Sequence, residues 1–301
     1  MKKLRHYCLL IITLLMMANT TQSQDLKAFV IFDKEGKEIS YGEMVKSLEG
    51  ADAVFFGELH NNPIAHWLEL EVTHSLFEAK GKDLLLGAEM FERDAQQVLD
   101  EYLAGIAKEA YLIKDGKAWD NYATDYSPLV EFAKANGLKF YATNVPRRYA
   151  SLVAKQGLSA LEELDKEVRK NYLPKLPIEV DFSLPSYKNM MAMMGGHGHG
   201  MQGAEDMAKN MVAAQAIKDA TMGATIAEAI KREKGTFLHY NGSYHSNYKE
   251  GTVWYLLQKM PKLTVVNINV VEVNDVNTFD TQNKETADFV IQVTERMTKT
   301  Y

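Results

Sequence analysis

Residues 52–67, DAVFFGELHNNPIAHW, begin as an ordinary buried strand and then change character. The apolar run AVFF is typical of a strand that is covered on both faces of a sheet. Glu58 and His60 follow at once, and Asn61 or Asn62 before Pro63 then predicts a capped helix start. A core strand that runs directly into a carboxylate, an imidazole and a helix is typical of the first unit of an α/β fold.

The same alternation of strand and helix continues along the chain. Residues 28–41, AFVIFDKEGKEISY, predict a short N-terminal hairpin around a glycine turn. Beyond it the patterns predict strands at 53–57, 84–89, 138–143, 236–241 and 263–272, and helices near 63–80, 94–104, 125–136, 147–155, 158–171, 204–233 and 249–259. We therefore expect an α/β fold with a mostly parallel central sheet flanked by helices, in which the mainly helical segment 158–233 forms an insertion or cap.

The first residues have the layout of a secretory signal peptide. Basic residues precede an apolar stretch at 9–17, and small or polar residues follow it. This stretch is shorter than the roughly 20 apolar residues that span a bilayer. We therefore predict that residues 1–23 are removed and that one domain, residues 24–301, is exported to the far side of the inner membrane.

The cysteine content and the net charge of the chain exclude several kinds of chemistry and of binding partner. Cys8, the single cysteine of the 301 residues, lies inside the predicted signal, so the mature chain has no thiol for disulfides, thiolate ligands or lipid attachment. Removal of residues 1–23 takes away three basic residues and no acidic one, which lowers the formal charge from −6 to −9. A nucleic-acid partner is not expected for so acidic a protein.

Polar side chains follow several of the predicted strands. The carboxyl ends of parallel strands share one edge of a sheet, and ligands bind in the crevice there. This edge is predicted to collect Glu58, His60, Glu89, Arg147 and His245. Such a set can hold a divalent metal that activates water, or it can supply a histidine general base. A single histidine at a strand end is nevertheless more often a structural residue.

The pattern Gly-x-x-His occurs twice directly after a predicted strand, ending at His60 and at His245. Glycine permits backbone turns that other residues resist, so we expect each glycine to turn the chain and place its histidine over the strand end. Asn144 with Pro146 repeats the helix start of Asn62 with Pro63. His66 falls on a stripe of the first long helix with Leu70 and His74, which indicates a half-buried helix face.

A segment rich in methionine and histidine begins at residue 187: YKNMMAMMGGHGHGMQ. Methionines at the end of a helix usually serve adaptable packing. The glycines around His197 and His199, however, favour a loop that wraps a metal or a haem face. Imidazole and thioether are both axial haem ligands, so His197, His199 and Met194 are candidate ligands. Histidine-rich tracts also bind zinc, copper or nickel.

An ordered series of motifs resembles the ChaN-like haem-binding proteins, which belong to a superfamily with the erythromycin esterases and Tiki-type metalloproteases. It covers nearly all of the chain from about Lys27: GELHNNPIAH, GAEMFERD, ATNVPRR, MMAMMGGHGHGM, AAQAIKDATMGATIAEAI and HYNGSYHS. The resemblance implies an α/β fold, haem binding linked to iron acquisition, a periplasmic or outer-membrane location, and haems stacked at a dimer interface. A partner in an outer-membrane haem or iron transport system is expected with it.

The resemblance also implies roles for individual residues. In the wider superfamily the hydrolytic or metal site maps onto Glu58 with His60, Glu89 and His245. The haem-ligating tyrosine of the family has no clear motif here, and Tyr187, beside the methionine and histidine segment, is the candidate. Arg147 or Arg148 is expected to pair with the haem carboxylates.

Three functions stay open at this point. The first is haem or iron binding through the methionine and histidine segment, which the family resemblance favours. The second is a metal-dependent or histidine-based hydrolase built on the strand ends, which the residues alone favour. The third is a scaffold without chemistry.

Overall fold

One sheet organises the part of the chain that the computed structural model describes, residues 26–195 and 203–301. Its strands in these residues are β1 (Phe29–Asp33), β2 (Glu38–Ile39), β3 (Ala53–Glu58), β4 (Leu84–Glu92), β5 (Phe140–Asn144), β6 (Thr236–Gly242), β7 (Val265–Val273) and β8 (Phe289–Thr294). They lie side by side in the order β2-β1-β8-β7-β3-β6-β4-β5. The pairings from β8 to β5 are parallel, and the hairpin of β1 and β2 joins β8 antiparallel.

Helices connect these strands and cover the sheet. Their bounds are α1 (Tyr41–Leu48), α2 (Pro63–Lys80), α3 (Gln96–Leu103), α4 (Glu109–Asp115), α5 (Ser127–Asn136), α6 (Arg147–Gln156), α7 (Lys166–Tyr172), α8 (Pro185–Gly195), α9 (Ala204–Glu233) and α10 (Gly251–Lys259). A π-helical turn, Tyr122–Tyr126, leads into α5. Within the described residues, none of the helices combines the length and the apolar character that crossing a membrane requires.

Strand β3 lies in the middle of the core, between β6 and β7. All six of its residues are buried. Because neighbouring side chains of a strand point to opposite faces, Val54 and Phe56 pack in the cluster that includes α2 and α5, whereas Phe55 packs with α9 and α10 on the other face. Because both faces of β3 are covered, all four consecutive residues of the AVFF run are apolar.

The predicted α/β fold is confirmed, including the mostly parallel sheet, the flanking helices and the N-terminal hairpin. The segment between β5 and β6 contains α6, α7, α8 and α9 in its described part. Strand β8 and helices α1 and α4 are elements that the sequence patterns did not predict. Strand β8 lies between β7 and β1, so its place depends on pairing with distant segments.

His239 is a fully buried histidine in the central strand β6. Its Nδ1 lies 2.9 Å from the Asn241 side-chain oxygen and its Nε2 lies 2.8 Å from the Thr143 hydroxyl. Burial lowers the pKa of His239 to about 4. The folded protein therefore holds this imidazole neutral at pH values where the unfolded chain, with a histidine pKa of about 6.5, takes up a proton.

Acid is predicted to destabilise the fold through His239. Stability from the neutral imidazole is present above about pH 6.5 and is lost as the pH falls towards 4. Between pH 7.5 and pH 5 the free energy of unfolding should fall by about 2 kcal/mol more in the wild type than in His239→Gln. Urea unfolding at the two pH values measures this difference. An equal pH dependence in the two proteins would contradict the assignment.

Candidate functional site

The two Gly-x-x-His stretches lie side by side at the carboxyl edge of the sheet. Strands β3 and β6 are parallel neighbours, and Glu58 of β3 is paired in register with Gly242 of β6. A cavity of about 780 Å³ opens over this edge. We call it the strand-end cavity; its lining includes His60, Glu89, Trp119, Asn144, Arg147 and Lys218.

His60 is held by a carboxylate beneath it. Its Nδ1 lies 2.6 Å from Glu58 Oε1, and that oxygen also accepts a hydrogen bond of 2.9 Å from the Tyr126 hydroxyl. The Glu58 side chain is fully buried, whereas that of His60 is 38% exposed. Burial lowers the pKa of His60, but the hydrogen bond and charge of Glu58 outweigh it and raise the pKa overall. A histidine oriented by a carboxylate and open to a cavity has the geometry of a general base.

His245 lies between two buried carboxylates. Its Nδ1 is 2.6 Å from Asp219 Oδ1, and its Nε2 is 3.1 Å from Glu89 Oε1. Burial lowers the pKa of His245, but the two negative charges raise it to about 10. For Glu89, burial is outweighed by the charge of His245, and the pKa falls to about 2. His245 is therefore a buried cation that fixes Glu89 at the cavity wall.

The two motifs need glycine because a side chain at these positions would not fit, and not because the backbone makes an unusual turn there. The backbone of Gly242 has φ −55° and ψ 135°, which any residue adopts. A Cβ at Gly242 would lie 2.8 Å from His60 Nε2, and one at Gly57 would lie 2.7 Å from the Ile268 carbonyl oxygen. The expectation of an unusual backbone turn at these glycines is wrong; close packing of the strand ends is the physical reason for them.

His66 is buried below His60, so the expected half-buried helix face is wrong at this position. Its Nδ1 lies 3.0 Å from Glu58 Oε2 and 3.1 Å from Glu69 Oε2. Burial lowers the pKa of His66, but the two carboxylates raise it to about 11. Burial, followed by the charge of Glu58, raises the pKa of Glu69 to about 8. Glu58 therefore contacts His60, which lines the strand-end cavity, and also His66, which belongs to a closed cluster of buried polar residues behind the cavity.

An apolar groove adjoins the strand-end cavity. It has a volume of about 280 Å³ and lies between α6, α8 and α9. We call it the methionine groove; its lining includes Met190, Met194, Met211, Ala214, Arg147 and Lys218. Met194 is 37% and Met211 39% exposed, so thioether surface faces solvent here. Arg147 and Lys218 line the cavity as well as the groove, which makes the two openings neighbours.

A family model described as haem-binding uptake, Tiki superfamily, ChaN matches residues 44–256. The chain belongs to this family. Its fold is similar to the solved structure titled for cofacial haem binding to ChaN of Campylobacter jejuni, at 19% identity over 88% of this chain and 96% of that chain, with a TM-score of 0.66. At that identity the likeness shows the fold alone.

Two further solved structures are more distant. A protein of Bacillus cereus is 11% identical over 84% of this chain and 90% of that chain, with a TM-score of 0.49. A mutant erythromycin esterase is 10% identical over 82% of this chain and 77% of that chain, with a TM-score of 0.45. The search of curated protein sequences gives no significant match.

In this member of the ChaN family, the predicted strand-end residues form two linked pairs. Glu58 contacts His60, and Glu89 contacts His245, with Gly242 between the pairs. Arg147 reaches the same cavity and pairs with Glu92, with Nε 2.5 Å from Oε1. A hydrolytic or metal-binding role for Glu58, His60, Glu89 and His245 stays a prediction. His197 and His199 lie outside the described residues.

Two expectations need correction. Tyr187 is completely buried and its hydroxyl donates a hydrogen bond of 2.7 Å to Asp219 Oδ2. This placement argues against haem ligation by Tyr187, because the phenol is enclosed and already has a partner. Asn144 does not cap α6, since Pro146 is the cap residue and makes no side-chain bond; Asn144 lines the strand-end cavity instead.

Asp219, Glu69 and Tyr126 are site residues that the sequence patterns missed. Asp219 is the one acidic residue between positions 207 and 227 of α9 and is completely buried, and a buried acid needs a partner. Glu69 follows His66 at the spacing that places both on one helix face. These two signals were available in the sequence. Tyr126 depends on the path of the π-helical turn, which no local pattern predicts.

Gly242→Ala is predicted to displace His60 without unfolding the protein. The new methyl group needs the space that the imidazole occupies, whereas the backbone at residue 242 tolerates alanine. Separation from Glu58 should lower the pKa of His60 towards its ordinary value, because the carboxylate is what raises it. Histidine NMR titration measures this shift. Gly42→Ala is the control, since nothing lies within 4 Å of a Cβ there; an unchanged His60 pKa in Gly242→Ala would contradict the packing argument.

Proposed function

We propose that this chain is an exported haem-binding protein that serves haem or iron acquisition. Membership of the ChaN family supports it, and so does one feature of the structure: an exposed methionine surface with two cations at its rim. Exposed apolar surface beside polar groups is typical of ligand sites. The proposed binding surface is the methionine groove.

The residues of the groove suit haem on two counts. Met190, Met194 and Met211 offer polarisable apolar surface that adapts to a flat ring. Arg147 and Lys218 offer positive charge for the ring's carboxylates, and arginine pairs with carboxylates in a bidentate manner. Both arginines have a carboxylate partner, Glu92 for Arg147 and Asp94 for Arg148, but of the two only Arg147 lines the groove, whereas Arg148 stacks on Tyr149. Arg147 is therefore the arginine that we assign to the haem carboxylates.

The iron ligand is proposed to come from the segment between α8 and α9. His197 and His199 belong to that segment, and Met194 lies in the last turn of α8. When bound, haem would supply an iron centre, and His197, His199 or Met194 would offer it imidazole nitrogen or thioether sulfur as a ligand. The protein's own contribution is to shield one face of the ring and to neutralise the carboxylates.

Ferric haem titrated into the protein is predicted to give a shifted Soret band. Arg147→Gln should weaken binding roughly tenfold, which corresponds to about 1.4 kcal/mol, because a charge-assisted hydrogen bond is lost. Met194→Gln should weaken it as well, since a polar amide replaces apolar contact surface. The double change of His197→Ala with His199→Ala should weaken binding and leave the fold intact, which circular dichroism checks.

Matched controls lie next to the residues that carry the proposal. Arg148→Gln and Met193→Gln alter neighbours that do not line the groove, and they should leave haem affinity within about twofold. His60→Ala should also leave it unchanged, since His60 lines the strand-end cavity. Loss of affinity in His60→Ala, with none in the groove and loop variants, would place the haem in the strand-end cavity and overturn the assignment.

Export is proposed from the sequence of residues 1–23. Expression of the full chain in a bacterium with a secretory pathway should yield a mature protein that begins near Gln24, carries no lipid and lies in the periplasmic fraction. Mass spectrometry of the intact protein measures the new N-terminus. Retention of residue 1 or a lipid-modified N-terminus would contradict this proposal.

We also propose that the protein forms a homodimer and that it has a partner in an outer-membrane haem or iron transport system. Both come from the family resemblance. Sedimentation of the haem-loaded protein at micromolar concentration tests the first, with a dimer expected and a strictly monomeric profile against it.

A further inference from the structure

We propose that the chain binds a divalent first-row transition-metal ion at Glu58, His66 and Glu69, a closed site behind the strand-end cavity. Among the described residues, these three side chains each offer a ligand atom, and the three atoms lie within 4.8 Å of one another. All three residues are buried. The inference is independent of haem binding.

The contact of His66 Nε2 determines which ring nitrogen of His66 is left for a metal. His66 Nε2 lies 3.1 Å from the carbonyl oxygen of His60, and a carbonyl oxygen can only accept. Nε2 therefore carries a proton and donates it. Metal-binding histidines commonly have this arrangement, in which a backbone acceptor orients the ring and leaves the opposite nitrogen for the metal.

His66 Nδ1, the opposite ring nitrogen, lies near more hydrogen-bond acceptors than one N–H group can bond. His66 Nδ1 has oxygens of Glu58 and Glu69 at 3.0 and 3.1 Å. Without a metal, His66 is an imidazolium and its Nδ1 proton can form a good hydrogen bond with only one of them, so Glu58 Oε2 is left without a hydrogen-bond partner among the described residues. A bound metal ion would replace this proton on Nδ1. Oε1 of Glu69, whose side chain is fully buried, also has no partner there. Unpaired buried carboxylate oxygens are costly, and a cation between the side chains would satisfy both groups.

The donor set indicates the class of ion. Two carboxylates and one imidazole suit zinc, iron(II) or manganese(II), whereas calcium and magnesium favour sites made of oxygen alone. The surroundings support the ligands: Tyr126 donates to the other oxygen of Glu58, and Asn121 donates to the His60 carbonyl oxygen. The partly exposed side chain of His60, which contacts Glu58 and lines the strand-end cavity, lies between that cavity and the site.

Zinc binding to the full chain tests the site. The His197→Ala, His199→Ala background removes the other histidine-rich tract that binds zinc. After incubation with zinc and desalting, this protein should retain about one equivalent by elemental analysis. Glu69→Gln in that background should retain at least tenfold less, because an amide is a poor substitute for a carboxylate ligand. Glu71→Gln is the matched control on the same helix and should retain the full equivalent.

Two comparisons make the result decisive. Glu89→Gln should keep the ion; loss in Glu89→Gln but not in Glu69→Gln would assign the metal to the strand-end pairs and overturn the proposal. Absence of retained zinc in the parent protein would overturn it as well. If Glu69→Gln does not fold, anomalous diffraction at the zinc edge from crystals of the parent protein locates the ion directly, with a peak expected between Glu58, His66 and Glu69 and a peak elsewhere counting against it.

Discussion

The fully buried carboxylate of Glu58, at the end of β3, must be compensated by neighbouring groups. Tyr126 and His60 contact one of its oxygens, and His66 lies 3.0 Å from the other. An isolated buried charge is expensive, so these partners have to arrive together when the protein folds. They come from the strand end, from α2 and from the π-helical turn before α5. One interaction thereby fixes the positions of three segments around the carboxyl edge of the sheet.

This arrangement gives the edge two different chemical environments. Over the strand ends the wall is polar and charged, with His60 and Glu89 each held by a buried partner. A short distance away, α6, α8 and α9 form an apolar methionine surface. Arg147 and Lys218 lie at the junction of the two. A ligand with a flat apolar body and carboxylates matches the second environment, whereas a metal ion matches the carboxylates and imidazoles behind the first.

Much of the fold was predictable from local patterns. The AVFF run and the Asn62-Pro63 pair predict β3 and the start of α2, and the observed cap hydrogen bonds from Asn62 agree with them. The meeting of Glu89 with His245 follows from the parallel order of the strands. Glu58 and His60 belong to one strand end, and side chains two residues apart in an extended chain point to the same side. Strand β8 was missed because its pairing joins two ends of the chain.

The predictions about individual side chains were less complete, because burial decides their roles. His66 is predicted to lie on a half-buried helix face, yet it is buried and held by a buried carboxylate. Tyr187 looked available beside a loop, yet Asp219 engages its hydroxyl in the core. The glycines of the Gly-x-x-His motifs looked like turn residues, yet Gly242 leaves room for an imidazole. Each error concerns a contact between different elements of the fold, which the local sequence pattern does not encode.

NMR of the methionine methyl groups tests the proposed haem surface most directly. In protein labelled with carbon-13 at these methyls, ferric haem should shift and broaden the signals of Met190, Met194 and Met211, because the paramagnetic iron lies near the groove they line. The signals of Met44, Met90 and Met222, which are buried in the core, should stay in place. If the Soret change reaches saturation while the signals of the three groove methionines do not move, haem binds elsewhere on the protein.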